Sequence, residues 1–359
     1  MTLSIIQMPR NILVEILKNI NNISQLLPTL LAHRCFLDAF TSCPGIAETI
    51  IRRQIHPQLL PLAIANIEAS HKTYTHRDID EVKRLYLDVF EKPERFTDRI
   101  DASNLTNPMP TSDLIQMGRI YGAIGDIVAR FIRDAVKLIT RMGPGRIFRQ
   151  SESESLRFYR AFYRLELFFN LCRGDDALDR LFLRSRSCFF LLLHPPWELG
   201  QMLCVYTYLD WCFTLMGAKR VQPREIGLSN DDPLARDNMR RRWIDIWISQ
   251  GLEFWLLVKD ADSHEDRLAL LASVIKRKYV FFYEMYLNYF PASRLFSPWL
   301  NFVPNPVEVN VPITPYEDSD PGPPTIWITC HQGAPVAIKD KKRIVEWELE
   351  SLFFALIPP

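Results

Sequence analysis

The sequence predicts a mainly α-helical protein, and three observations carry that reading. Apolar residues recur at three- and four-residue spacings over most of the chain as far as residue 290, the pattern of helices that each bury one face. Proline, glycine and asparagine punctuate these stretches where helices start and stop. Strand-like patterning is confined to 325–329 and 334–338 near the C-terminus, enough for one short β-hairpin.

The first helix is expected to begin at Pro9, whose missing N–H costs little in a first turn. It carries Ile12, Leu13, Ile16, Leu17 and Ile20 on one face, and Asn19, Asn21 and Asn22 end it. Ile23, Leu26, Leu27, Leu30 and Leu31 repeat the spacing, with Ser24 in position to cap. Pro28 would lose a hydrogen bond in a helix capped there, so the regular helix is expected to start at Pro28 itself. Further helices are expected through Ile46, Ile50 and Ile51, from Pro57 through Ile67, and over 78–90. The three prolines and the polar residues of 92–110 read as a linker or long loop.

A long helix is expected from Thr111 or Ser112 to the stop at Met142-Gly143-Pro144-Gly145. The next begins at Ser153 or Ser155, with Phe158, Phe162, Leu165 and Phe169 on one stripe. Others follow Pro196 through Leu199, Met202, Tyr206 and Phe213, run through Trp243, Trp247, Phe254 and Leu257, and extend from about Asp266 to Phe290. Ten prolines in 291–335 predict an extended segment, and 344–356 a closing apolar element.

With 48% hydrophobic residues in 359, the chain can bury a sizeable core as one large domain or two to three smaller ones. Its 43 basic and 42 acidic residues give no support for binding nucleic acid through backbone electrostatics. No secretory leader and no apolar run of about 18–20 residues is visible, so no membrane partner is expected. Seven scattered cysteines without a CxxC pair read as core thiols of a reducing compartment, the cytoplasm or nucleus.

Chemistry-bearing patterns are sparse. His76-Arg77-Asp78 matches a kinase tripeptide but lacks the upstream glycine loop and lysine, so it reads as a solvated helix start. Gly118, Gly122 and Gly125 follow no strand and read as close helix packing. The seven histidines show no metal-ligand spacing, and no nucleophile elbow is present. No catalytic residue, cofactor or metal is therefore expected. Tyr279, Phe282, Tyr283, Tyr286 and Phe290 read as core, with a partner groove as the sharper reading. Arg236, Arg240, Arg241 and Arg242 read as a solvated helix start or as a clamp for an acidic partner segment.

Met8-Pro9, Glu15-Ile16-Leu17, Leu26-Leu27, Arg34-x-Phe36 and Ala39-Phe40 together resemble the F-box, over residues 5–53. Met8 stands for the usual leucine, and His33 where cysteine is common. The segment after Ile51-Arg52-Arg53, the 158–172 stripe and Trp197-Glu198 before a helix are similar to fungal F-box proteins with a helical C-terminal region. The resemblance implies a three-helix F-box at 5–53; the patterning divides the rest into a helical connector and linker at 54–110, a bundle- or solenoid-like domain at 111–290, and a Pro-rich segment with a terminal docking element at 291–359. The resemblance further implies a substrate receptor of a Skp–cullin–F-box ubiquitin ligase, itself without enzymatic activity. The Skp adaptor, and through it a cullin, would bind the F-box, and a protein substrate the helical region. Pro9, Ile12, Ile16, Leu17, Leu26, Leu27 and Leu30 are the expected docking or module-core residues, two roles that periodicity does not separate. Two alternatives stand beside this reading: an F-box scaffold that binds Skp without cullin, and an enzyme whose site is assembled from distant residues in 111–300.

Overall fold

Pro9 stands just outside helix α1 (Arg10–Lys18) rather than within it. Its carbonyl accepts from the Ile12 and Leu13 amides at 3.0 and 3.3 Å. The buried stripe of α1 is Leu13, Val14 and Leu17, one residue round from the expected face. The computed structural model describes residues 8–72, 74, 78–100, 109–142, 151–172, 194, 196–213 and 243–274, with the strand residues 326–329 and 335–338. Outside that strand pair these residues are mainly helical, as the periodicity predicts.

The turn into the second helix departs from the sequence expectation. Asn22, not Ser24, is the cap: its Oδ1 accepts the Ser24 amide at 3.0 Å and starts a 3-10 turn at Ile23–Gln25. Helix α2 (Leu26–Ala32) follows directly, two residues earlier than expected. Pro28 falls in its first turn, where a missing N–H is tolerated because backbone donors there lack helical acceptors. His33 is extended between α2 and α3 (Arg34–Ser42), and its Nδ1 caps α3 by accepting from the Cys35 amide at 3.2 Å. Gly45, at φ +89°, turns the chain into α4 (Ile46–Gln54), whose Ile46, Ala47, Ile50 and Ile51 are buried.

His56 caps a 3-10 turn (Pro57–Leu59) in the same manner, and α5 (Leu60–Ser70) follows. Residues 60–67 of α5 are all buried, the behaviour of a helix that is apolar all round. Helix α6 (Ile79–Glu91) matches the amphipathic stretch read from the sequence. The segment read as a linker is helical over 94–100. It forms α7 (Glu94–Thr97) and a 3-10 turn (Asp98–Ile100), pinned by buried Phe96 and Ile100 and by Arg52, which donates to the Thr97 and Ile100 carbonyls.

Helix α8 (Thr111–Met142) is 32 residues long, about 48 Å at the helical rise. Helix α9 (Glu152–Cys172) begins with a capping box that the serine count misplaced. Ser151 Oγ accepts from the Glu154 amide at 3.3 Å, and the Glu154 carboxylate accepts from the Ser151 amide at 2.8 Å. Its stripe of Phe158, Phe162, Leu165 and Phe169 is buried, and α9 packs on α5 and on α10 (Pro196–Phe213).

The tryptophan helix expected through Leu257 is two helices. A stretch at 243–249 ends in a turn, and α11 (Leu252–Asp260) starts after Gly251. Gly251 holds φ +88° and ψ −176°, a region open essentially to glycine alone. Ser263 caps α12 (His264–Val274) through the Asp266 amide at 3.0 Å. Two strands, β1 (Ile326–Thr329) and β2 (Pro335–Ile338), pair antiparallel with Ile326 opposite Ile338. Residues 291–325, 344–356 and the aromatic run 279–290 lie outside the described residues. One hydrophobic cluster runs without a break from Leu13 on α1 to Val274 on α12.

Gly251 offers a direct check on this packing. A Cβ there would need the unfavourable φ and would also meet the Glu166 carboxylate. Gly251→Ala should cost about 1–3 kcal/mol, read as a lower denaturation midpoint at unchanged slope. An unaltered midpoint would contradict the geometry.

Candidate functional site

Helices α1 and α2 both pack against α3, and α1 also packs on α4. Their apolar residues exceed what that packing buries. Seven large hydrophobic side chains are exposed among the described residues, and five of them lie on α1, α2 and α3. These are Ile12 (45% exposed), Ile16 (39%), Leu27 (53%), Leu31 (78%) and Leu37 (46%). Ile12 and Ile16 stand one turn apart beside the buried stripe of α1, and Leu27 and Leu31 one turn apart on α2. Five exposed aliphatic side chains on three consecutive helices make this the candidate interaction surface among the described residues.

Burial divides the seven expected docking or module-core residues. Leu17 and Leu26 are core residues, at 0% and 1% exposure. Leu30 is half-buried against the same core. Pro9, Ile12, Ile16 and Leu27 are exposed. Leu31 and Leu37 join them without having been singled out; Leu31 had its signal in the one-turn spacing from Leu27, whereas Leu37 had none. Arg236, Arg240, Arg241 and Arg242 lie outside the described residues, as do His76 and Arg77. Asp78 immediately precedes α6 and pairs with Lys72 at 3.4 Å.

A second polar assembly was not read from the sequence at all. Tyr86 of α6, Arg164 of α9, His194 and Glu198 of α10 meet in the interior. Glu198 accepts from the Arg164 guanidinium at 2.7 Å and contacts His194 Nδ1 at 2.9 Å. A carboxylate only accepts, so Nδ1 carries the proton and Nε2 is left to accept from the Tyr86 hydroxyl. Phe90 closes the assembly, edge-on to His194 and 5.4 Å from the Arg164 guanidinium over its ring. The one visible clue was a histidine and a glutamate four residues apart around Pro195-Pro196, which sit on one side of a helix start.

Burial lowers the His194 pKa, outweighing the Glu198 hydrogen bond that favours its charged form. Burial also works to raise Glu198, but His194 and Arg164 outweigh it and hold the carboxyl below its usual range. Tyr86 is pushed well above the phenol range by burial. The result is a neutral histidine beside one compensated ion pair, with both ring nitrogens engaged. It ties α6 to α9 and α10. Buried thiols are likewise kept protonated: burial pushes Cys212 up to about 11 and Cys204 well above its usual range. Among the described residues no group of three or more His, Cys, Asp or Glu residues is placed to hold a metal ion. Among them too, no helix is long and apolar enough to cross a membrane.

The assembly sets a sign for acid sensitivity. His194 has a folded-state pKa below its unfolded value, so the unfolded chain takes up the proton first. The stability it contributes is fully present above the unfolded value of about 6.5 and is lost as pH falls from there through the lowered folded-state value. Glu198 adds a further loss at lower pH, below the normal carboxylate range. The melting temperature should therefore drop from pH 7.5 to 5.5, and His194→Gln should flatten that part of the profile. Equal slopes for the two proteins would contradict the assignment.

No family model matches the chain, and neither the curated proteins nor the solved structures contain a significant match to it.

Proposed function

We propose that the chain is a substrate-receptor subunit of a Skp–cullin–F-box ubiquitin ligase, docking on the Skp adaptor through the exposed aliphatic face of α1–α3. The observation that carries this reading is the concentration of Ile12, Ile16, Leu27, Leu31 and Leu37 on those helices. They belong to the segment whose Met8-Pro9, Glu15-Ile16-Leu17 and Arg34-x-Phe36 steps resemble the F-box. An amphipathic partner helix laid on such a face buries its anchors at i and i+4 spacing. Removing one such side chain from water is worth about 1 kcal/mol or more. The helical body after Thr111 then serves to hold a protein substrate, and ubiquitin transfer follows from holding that substrate close to a charged carrier.

The reading separates docking residues from core residues, and a paired experiment tests the separation. Ile16→Asp with Leu27→Asp should weaken Skp adaptor binding by about tenfold or more while moving stability by only about 0.5 kcal/mol, as for surface changes. Leu17→Asp should unfold the module instead, because it places a charge in the core. A well-folded double variant that still captures the adaptor from a co-purification would rule out this face.

A further inference from the structure

Gln54 is the last residue of α4, and its side chain reaches two other elements. Its Oε1 accepts the Ile23 amide at 2.9 Å. Its Nε2 donates to the Gly118 carbonyl of α8 at 3.3 Å and to Asn22 Oδ1 at 3.4 Å. Ile23 is fully buried, and a Cβ added at Gly118 would overlap its Cγ2. Arg53 braces the same corner, donating to Asn19 Oδ1 at 3.0 Å and to the Ile20 carbonyl at 2.6 Å. Gly122, one turn along α8, has nothing within 4 Å of where its Cβ would stand. Glycine in a helix interior is disfavoured relative to alanine, so the two glycines differ in kind. Gly122 is a plain cost to α8, whereas Gly118 admits the turn that carries Ile23.

We propose that Gln54 and Gly118 are the positioning pair of a fixed joint that locks the α1–α3 docking face to α8 in a single orientation. A protein docked on that face is thereby held at a set angle to the helical body. The functional consequence rests on the docking reading above; the joint itself rests on these contacts.

The full-length chain tests both and tells them apart. Gly122→Ala should raise the melting temperature, by about 2–4 °C. Gly118→Ala should lower it, and should do so much less in an Ile23→Ala background, where Cγ2 is gone and the Gln54 carboxamide at 3.3–3.4 Å is the contact left to the new Cβ. Gln54→Glu keeps the acceptor for the Ile23 amide and removes both donors. Spin labels on ketone-bearing residues introduced at the exposed positions Asn11 and Asp262 report orientation. One narrow distance is expected for the otherwise unaltered chain, and a broadened one for Gln54→Glu and Gly118→Ala at temperatures where both remain folded. Stabilisation by Gly118→Ala, or a distance that stays narrow in both variants, overturns the joint. Skp adaptor binding by Gly118→Ala should persist, because the exposed face is untouched. A chain that binds no adaptor but keeps this pattern defeats the docking reading and leaves the joint standing.

Discussion

The amide of Asn66 holds the arrangement of the helices together. It lies fully buried in a stretch of α5 that is otherwise apolar, where an unmatched polar group is costly. Its Nδ2 donates to the Leu62 carbonyl at 2.8 Å and to the Tyr163 carbonyl of α9 at 3.0 Å, and the Asn170 amide donates back to Asn66. Apolar packing between α5 and α9 would tolerate some sliding; these bonds fix one register. From that register α9 organises the rest. Arg164 reaches Glu198 at the start of α10, and Glu166 accepts the Leu252 amide at 2.8 Å, where α11 begins. A carboxylate at a helix N-terminus meets its unsatisfied donors and the favourable end of its dipole.

The N-terminal helices are held together differently. The helices α1 to α3 are held by buried Leu13, Leu17, Leu26, Phe36 and Ala39, with local caps from Asn22 and His33. Their outer sides carry exposed aliphatic residues beside the charged Arg10, Glu15, Arg34 and Asp38. The helices from α5 onward are thus closed around a core braced by polar contacts, whereas α1 to α3 leave apolar side chains in contact with water. The shared hydrophobic cluster and the Gln54 contacts keep the two ends from moving independently.

Much of the helical pattern was legible because it follows from spacing alone. The stripe from Phe158 to Phe169 and the long helix from Thr111 to Met142 needed only periodicity and a glycine–proline stop. The face of α1 was off by one residue because its apolar arc is wider than the core it covers; Ile12, Leu13, Ile16 and Leu17 fit one stripe, yet Val14 is buried and Ile12 is not. Pro28 misled because a 3-10 turn ahead of α2 moved the helix start. Gly251 was not marked as a break since its helical neighbours on both sides are rich in tryptophan and aliphatic residues. The Tyr86, Arg164, His194 and Glu198 assembly joins residues up to 112 positions apart, which no local pattern can reveal. The exposed apolar residues were legible only in part: Ile12, Ile16, Leu27 and Leu31 stand in the helical spacing, but which of the spaced residues face water depends on how the core is filled, and Leu37 carries no such pattern.

Hydrogen exchange of the full-length chain, with and without the purified Skp adaptor, tests the central claim most directly. The account predicts slowed exchange in the segments carrying Ile12, Ile16, Leu27, Leu31 and Leu37, with the buried amides of α9 unchanged. No detectable complex, or protection that falls on α9 to α12 and spares α1 to α3, would contradict it.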